Sequence, residues 1–135
     1  MTKLTLELII EINKGIIQEW LEQNPTAFEA VDVNQDELKT ILKLVDKQEN
    51  LIMKASYILG GISWAQPFSG GNKRTAFVCA DTLLRLNGFR LLVDDENEQE
   101  YLRKLLLEIQ EERSKLNEDV MAKIILYVSK RIRKI

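Results

Sequence analysis

The chain has 135 residues, of which 45% are hydrophobic, 30% charged and 7% aromatic. That is enough for one domain over residues 1–135 with a mainly aliphatic core, and too apolar for a disordered chain. The 19 Lys and Arg against 21 Asp and Glu leave a formal charge of −2, so no overall field draws the protein to nucleic acid or an anionic membrane. With no histidine and a single cysteine, Cys79, there is neither a Cys/His zinc spacing nor an internal disulfide. The missing histidine also removes the commonest general base at neutral pH. Glu7 and Glu11 interrupt the apolar amino-terminal stretch, and no window approaches the roughly 18 apolar residues of a membrane span. The expected setting is the cytoplasm, with no membrane and no nucleic-acid partner.

In chain order, Leu8, Ile9, Ile12, Ile16, Ile17, Trp20 and Leu21 follow a helical period from a Thr5 cap to the stop at Asn24-Pro25. An irregular link, 23–33, leads to Asn34, which with Glu37 resembles a capping box for a helix whose inner face holds Leu38, Ile41, Leu42 and Val45. A third helix is predicted over about 49–59, ending near Gly60-Gly61. After the loop at 67–71, Ala76, Phe77, Ala80, Leu83 and Leu84 mark a fourth helix, stopped by Asn87-Gly88. Residues 89–93 are the one extended piece. Asp94, Asp95 and Glu96 suit the start of a fifth helix with Tyr101, Leu102, Leu105, Leu106 and Ile109 inward. A last helix over about 118–133 carries Val120, Ile124, Val128 and Ile132, with Lys130, Arg131, Arg133 and Lys134 at its carboxyl end, where cations are favourable. The whole reads as an all-α, single bundle of about six helices with at most a short extended piece.

The chemistry concentrates in Gln66-Pro67-Phe68-Ser69-Gly70-Gly71-Asn72-Lys73-Arg74-Thr75, a glycine-bearing loop running into a helix. The first N–H groups of a helix lack intrahelical partners, and the peptide dipoles place roughly half a positive charge there. Gly70 and Gly71 allow a ligand close to the backbone, and Lys73 and Arg74 add two cations in a first turn where the dipole disfavours them. Phe68 is expected to point inward and hold the loop. The same residues also suit a solvated turn capped by Asn72. A Walker A loop is excluded by the order Gly71-Asn72-Lys73 after a helical segment.

Pro67, Phe68, Gly71, Asn72, Lys73, Arg74 and the following Thr75-Ala76 resemble the signature of the Fic/Doc family: His-Pro-Phe, two variable residues, then Gly/Ala-Asn-Gly/Lys-Arg. Lys73 after the asparagine is similar to the Doc branch, and the resemblance extends over about residues 4–93, through Leu4-Thr5, Ile12-Asn13, the 55–61 helix and the 86–91 stretch. It implies an all-helical fold and a nucleotide-dependent transfer, of AMP or of the terminal phosphate of ATP, to a protein hydroxyl. It also implies a target protein of translation and a small antitoxin as partners. On this resemblance Ser69, Gly70, Gly71, Asn72, Lys73 and Arg74 belong to the nucleotide-phosphate site, with Arg74 catalytic, and the 23–33 link lies where relatives dock their target. Two positions depart from the signature. Gln66 stands where the family has the histidine that takes the proton from the attacking hydroxyl, and an amide accepts no proton at neutral pH. Gly70 stands where the family has an acidic residue that helps hold magnesium, so Mg2+ accompanying ATP or another nucleotide would be held more weakly, with no metal site of the protein's own.

Three readings follow: a degenerate Fic/Doc-fold protein that keeps its phosphate loop but is catalytically silent or strongly impaired; an active transferase with a carboxylate from elsewhere as base; and a purely structural helical module, a homodimer being compatible with it. Trp20, Tyr57 and Trp64 fall in helical phase and are expected in the core rather than stacked on a base. Cys79 is expected to be a buried, inert thiol.

Overall fold

The computed structural model describes residues 1–29 and 32–135. Six helices follow one another: α1 (Leu6–Gln23), α2 (Gln35–Asp46), α3 (Leu51–Ala65), α4 (Asn72–Leu86), α5 (Glu96–Ile109) and α6 (Glu118–Arg131). Two three-residue strands, β1 (Phe89–Leu91) and β2 (Ile132–Lys134), pair antiparallel with Leu91 opposite Ile132 and Phe89 opposite Lys134. Among the described residues no helix is long and apolar enough to cross a membrane.

The starts of these helices follow local chemistry. Thr5, Asn34, Asn50, Asp95 and Asn117 each accept the backbone N–H three residues on, at Leu8, Glu37, Met53, Glu98 and Val120, which satisfies a donor the helix itself leaves unpaired. At Asn34 only the forward half of the expected capping box forms. The Asn34 N–H, which the Glu37 side chain would otherwise take, donates instead to the Pro67 carbonyl at 2.6 Å.

The core is aliphatic and centred on α3, which packs against α2, α4, α5 and α6, while α1 lies across α4 and touches α2. Here the structure corrects the predicted end of the third helix. The chain continues helically through Gly60 and Gly61 to Ala65, because those glycines are points of close helix approach rather than a stop. A Cβ on Gly60 would lie 2.4 Å from Met121 Sδ of α6, and one on Gly61 would lie 2.9 Å from Ile41 Cγ2 of α2. Helix α3 is accordingly buried nearly all round. A second correction falls at the carboxyl end: α6 stops at Arg131, and Arg133 and Lys134 lie in β2 rather than in a helical last turn. Backbone bonds to β1 account for this, since Leu92 N–H donates to the Arg131 carbonyl and Ile135 N–H to the Gly88 carbonyl. The stop after α4 is as expected, with Asn87 at the cap and Gly88 at φ +88°.

Trp20 departs from the expected core: it is 43% exposed on α1. Tyr57 and Trp64 are half-buried against the core, and the Trp64 indole N–H donates to the Glu112 carbonyl at 2.7 Å.

Candidate functional site

The glycine loop begins where α3 ends. Gln66 caps that helix in the left-handed region (φ 49°, ψ 58°), and the proline after it disfavours the α conformation at residue 66, so the helix stops there. A non-glycine residue at positive φ is costly and is held only where its surroundings fix it. Three such fixings are present. Phe68 is buried, 5% exposed, and forms an isolated antiparallel bridge with Val33. Two rungs flank that bridge: Asn34 N–H to the Pro67 carbonyl, and Ser69 N–H to the Asp32 carbonyl at 3.1 Å. Third, the Asn72 side chain turns back on the loop, its Oδ1 accepting the Phe68 N–H at 3.0 Å and its Nδ2 donating to the Phe68 carbonyl at 2.9 Å.

Asn72 is therefore the first residue of α4 and a clasp for the loop, and the cap position belongs to Gly71, left-handed at φ 70°. This corrects the reading of Asn72 as the cap. Helix α4 is the one helix among the described residues whose amino end no side chain caps. Its first backbone N–H groups have no intrahelical acceptors, and Lys73 and Arg74 lie in the same turn.

Asn13 of α1 completes the frame. It is 1% exposed, and its Nδ2 donates both to the Gly70 carbonyl and to Thr75 Oγ1, each at 3.0 Å. Neither Asn13 nor Thr75 was singled out by the motif as a site residue, yet an asparagine in phase with Ile9 and Ile17 on a buried face is a legible signal.

Two grooves meet at Arg74. One, of about 230 Å³, is lined by Ile16, Ile17, Trp20, Glu29, Gly70, Gly71 and Arg74. The other, of about 540 Å³, has Lys73, Arg74 and Arg103 on its rim and Phe77, Val93, Leu102 and Leu106 as an apolar wall beside Gln99. Gln66, Ser69 and Asn72 line neither groove. Arg74 makes a loose pair with Glu19 at 3.8 Å between largely exposed side chains, which holds it weakly. Of the expected phosphate residues, the structure thus brings Gly70, Gly71, Lys73 and Arg74 to the grooves, whereas the Ser69 N–H is already spent on Asp32.

Nothing in the sequence marks Glu29. Its carboxylate lies over Gly70, where a Cβ would come within 3.0 Å of Glu29 Oε1. No group of three or more potential ligands suited to a metal ion occurs among the described residues. Of the 23–33 link expected near a docking flap, residues 30 and 31 lie outside the described residues. Cys79 is fully buried in α4, and burial pushes its thiol up to about 12.

The fold is mostly helical, and its glycine loop is clasped at a helix start that has no side-chain cap and carries two cations. The family model of the Fic/DOC family matches residues 3–84, more than half of the chain and all of the loop, and the chain belongs to that family. No curated protein and no solved structure matches it.

Proposed function

We propose that the protein binds the phosphates of a nucleotide, ATP or a related one, at the start of α4, and that it transfers no group or does so very slowly. The observation that carries this reading is the bare amino end of α4: among the described residues five helices have a side-chain cap, and the one following the family loop has Gly71 there instead, with Lys73 and Arg74 in its first turn. Helix dipole, free N–H groups and two cations all favour an anion at that place. The neighbouring 540 Å³ groove, with its apolar wall and the Gln99 side chain, suits a flat base. Transfer to a protein hydroxyl needs a proton acceptor at residue 66, and the Gln66 amide is none. A positioned base contributes about 10²–10⁴ in rate, so its loss leaves binding without appreciable turnover. Calorimetry with ATP and ADP tests the reading: heat and a thermal shift in the wild type, both lost in Arg74→Ala, are expected, and silence of the wild type at millimolar nucleotide refutes it.

A further inference from the structure

The position of Glu29 over Gly70 carries an inference about the same site, and it rests on the phosphate-loop reading above. A side chain on residue 70 would leave the backbone toward the Glu29 carboxylate: the ideal Cβ position is 3.0 Å from Oε1, 3.1 Å from Cδ and 3.6 Å from Oε2. The volume that an acidic side chain at 70 would fill is therefore already held by a carboxylate from the link between α1 and α2. That carboxylate is half-buried, borders the groove with Gly70, Gly71 and Arg74, and has no ion pair or hydrogen bond among the described residues. The Arg74 guanidinium nearby turns to Glu19.

We infer that Glu29 is the carboxylate of the phosphate loop, placed where Gly70 has no side chain, and that it holds the divalent cation of a bound nucleoside di- or triphosphate. One carboxylate together with phosphate oxygens is a sufficient protein contribution for Mg2+, which keeps most of its remaining ligands as water. Without the cation, Glu29 and the phosphates are like charges around one small groove and repel. With it, the two are bridged. Nucleotide affinity should therefore rise on adding Mg2+, by about tenfold or more given the few ångströms that separate the charges. Replacing the carboxylate by its amide removes both the repulsion and the ligand.

Titration of the full chain with ADP in EDTA and then in excess Mg2+ tests this. The expected result is a tenfold or greater gain with Mg2+ in the wild type, and in Glu29→Gln a tighter metal-free binding with no gain. Gly70→Asp, with Glu29 intact, should lower the melting temperature because two carboxylates contend for one space, and Gly70→Asp with Glu29→Ala should recover both stability and the Mg2+ gain. An undiminished gain in Glu29→Gln, wild-type binding indifferent to Mg2+, or a Gly70→Asp protein as stable as the wild type overturns the assignment and leaves the phosphate loop standing. No ADP binding in any condition overturns the phosphate-loop reading and this inference with it.

Discussion

Removing the buried amide at residue 13 tests whether α1 shapes the loop. Asn13 donates two hydrogen bonds of 3.0 Å, one to the Gly70 carbonyl and one to the hydroxyl of Thr75, a fully buried residue. In Asn13→Ala both acceptors lose their donor. Each such bond contributes about 1 kcal/mol net, and the hydroxyl left dry beneath α1 costs roughly 1 kcal/mol more, for a total of about 3 kcal/mol. For a domain of this size that lowers the melting temperature by about 10 °C. Asn13→Asp keeps the volume but turns a donor into an acceptor facing a carbonyl. It should be worse than alanine at pH 7 and regain part of the loss below about pH 4, where a protonated carboxyl donates again. Urea unfolding at both pH values measures this, with the midpoint moving and the slope unchanged. A loss under about 0.5 kcal/mol in Asn13→Ala, or an aspartate variant indifferent to pH, would refute the argument that these two bonds hold the loop to α1.

Further consequences are as direct. Gln66→Gly removes a side chain from a left-handed position and should raise stability by about 1 kcal/mol in a thermal melt, a destabilised variant contradicting the strain. Gly61→Ala crowds Ile41 Cγ2, which the branched, stiff side chain cannot move aside, and should cost about 1–2 kcal/mol even against the helix propensity it gains. In a double-mutant cycle Ile41→Ala should then cost less on that background than in the wild type. Burial raises the Cys79 thiol from 9.0 to about 12 and, with Glu98 and Asp95 adding to it against Arg131, the Tyr127 hydroxyl from 10.0 to about 12. Both groups ionise more readily when unfolded, so their contribution is complete below about pH 9 and is lost as pH rises toward 12. Unfolding midpoints should fall over that window, less steeply in Cys79→Ala.

Much of the fold was legible because it is local. The caps at Thr5, Asn34 and Asp95, the apolar stripes, and the Asn87-Gly88 stop act within a turn of the residues that announce them. The misread features depend on distant partners. Gly60-Gly61 looks like a breaker until Met121 and Ile41 are seen against it, and Ile132 continues a helical phase until β1 offers a ladder. The direction of the Asn72 amide depends on the loop folding back to Phe68, and nothing in the spacing of the motif reveals that. The loop itself was readable from its glycines and cations, and Asn13 from its place in an apolar stripe. Glu29 had no signal: one more carboxylate in an acidic chain, made distinct only by the residue it comes to lie over.

The bridge between Val33 and Phe68 has a consequence for how the site arises. Its parts come from α1, from residues 29 and 32–34 and from 66–75, so the loop adopts its shape only once segments far apart along the chain have met. Loop closure over such separations is slow and is rewarded only when the core has consolidated. A synthetic decapeptide bearing the motif would thus lack this shape, and the clasped loop becomes a late event in maturation, reporting that the tertiary arrangement around it is in place.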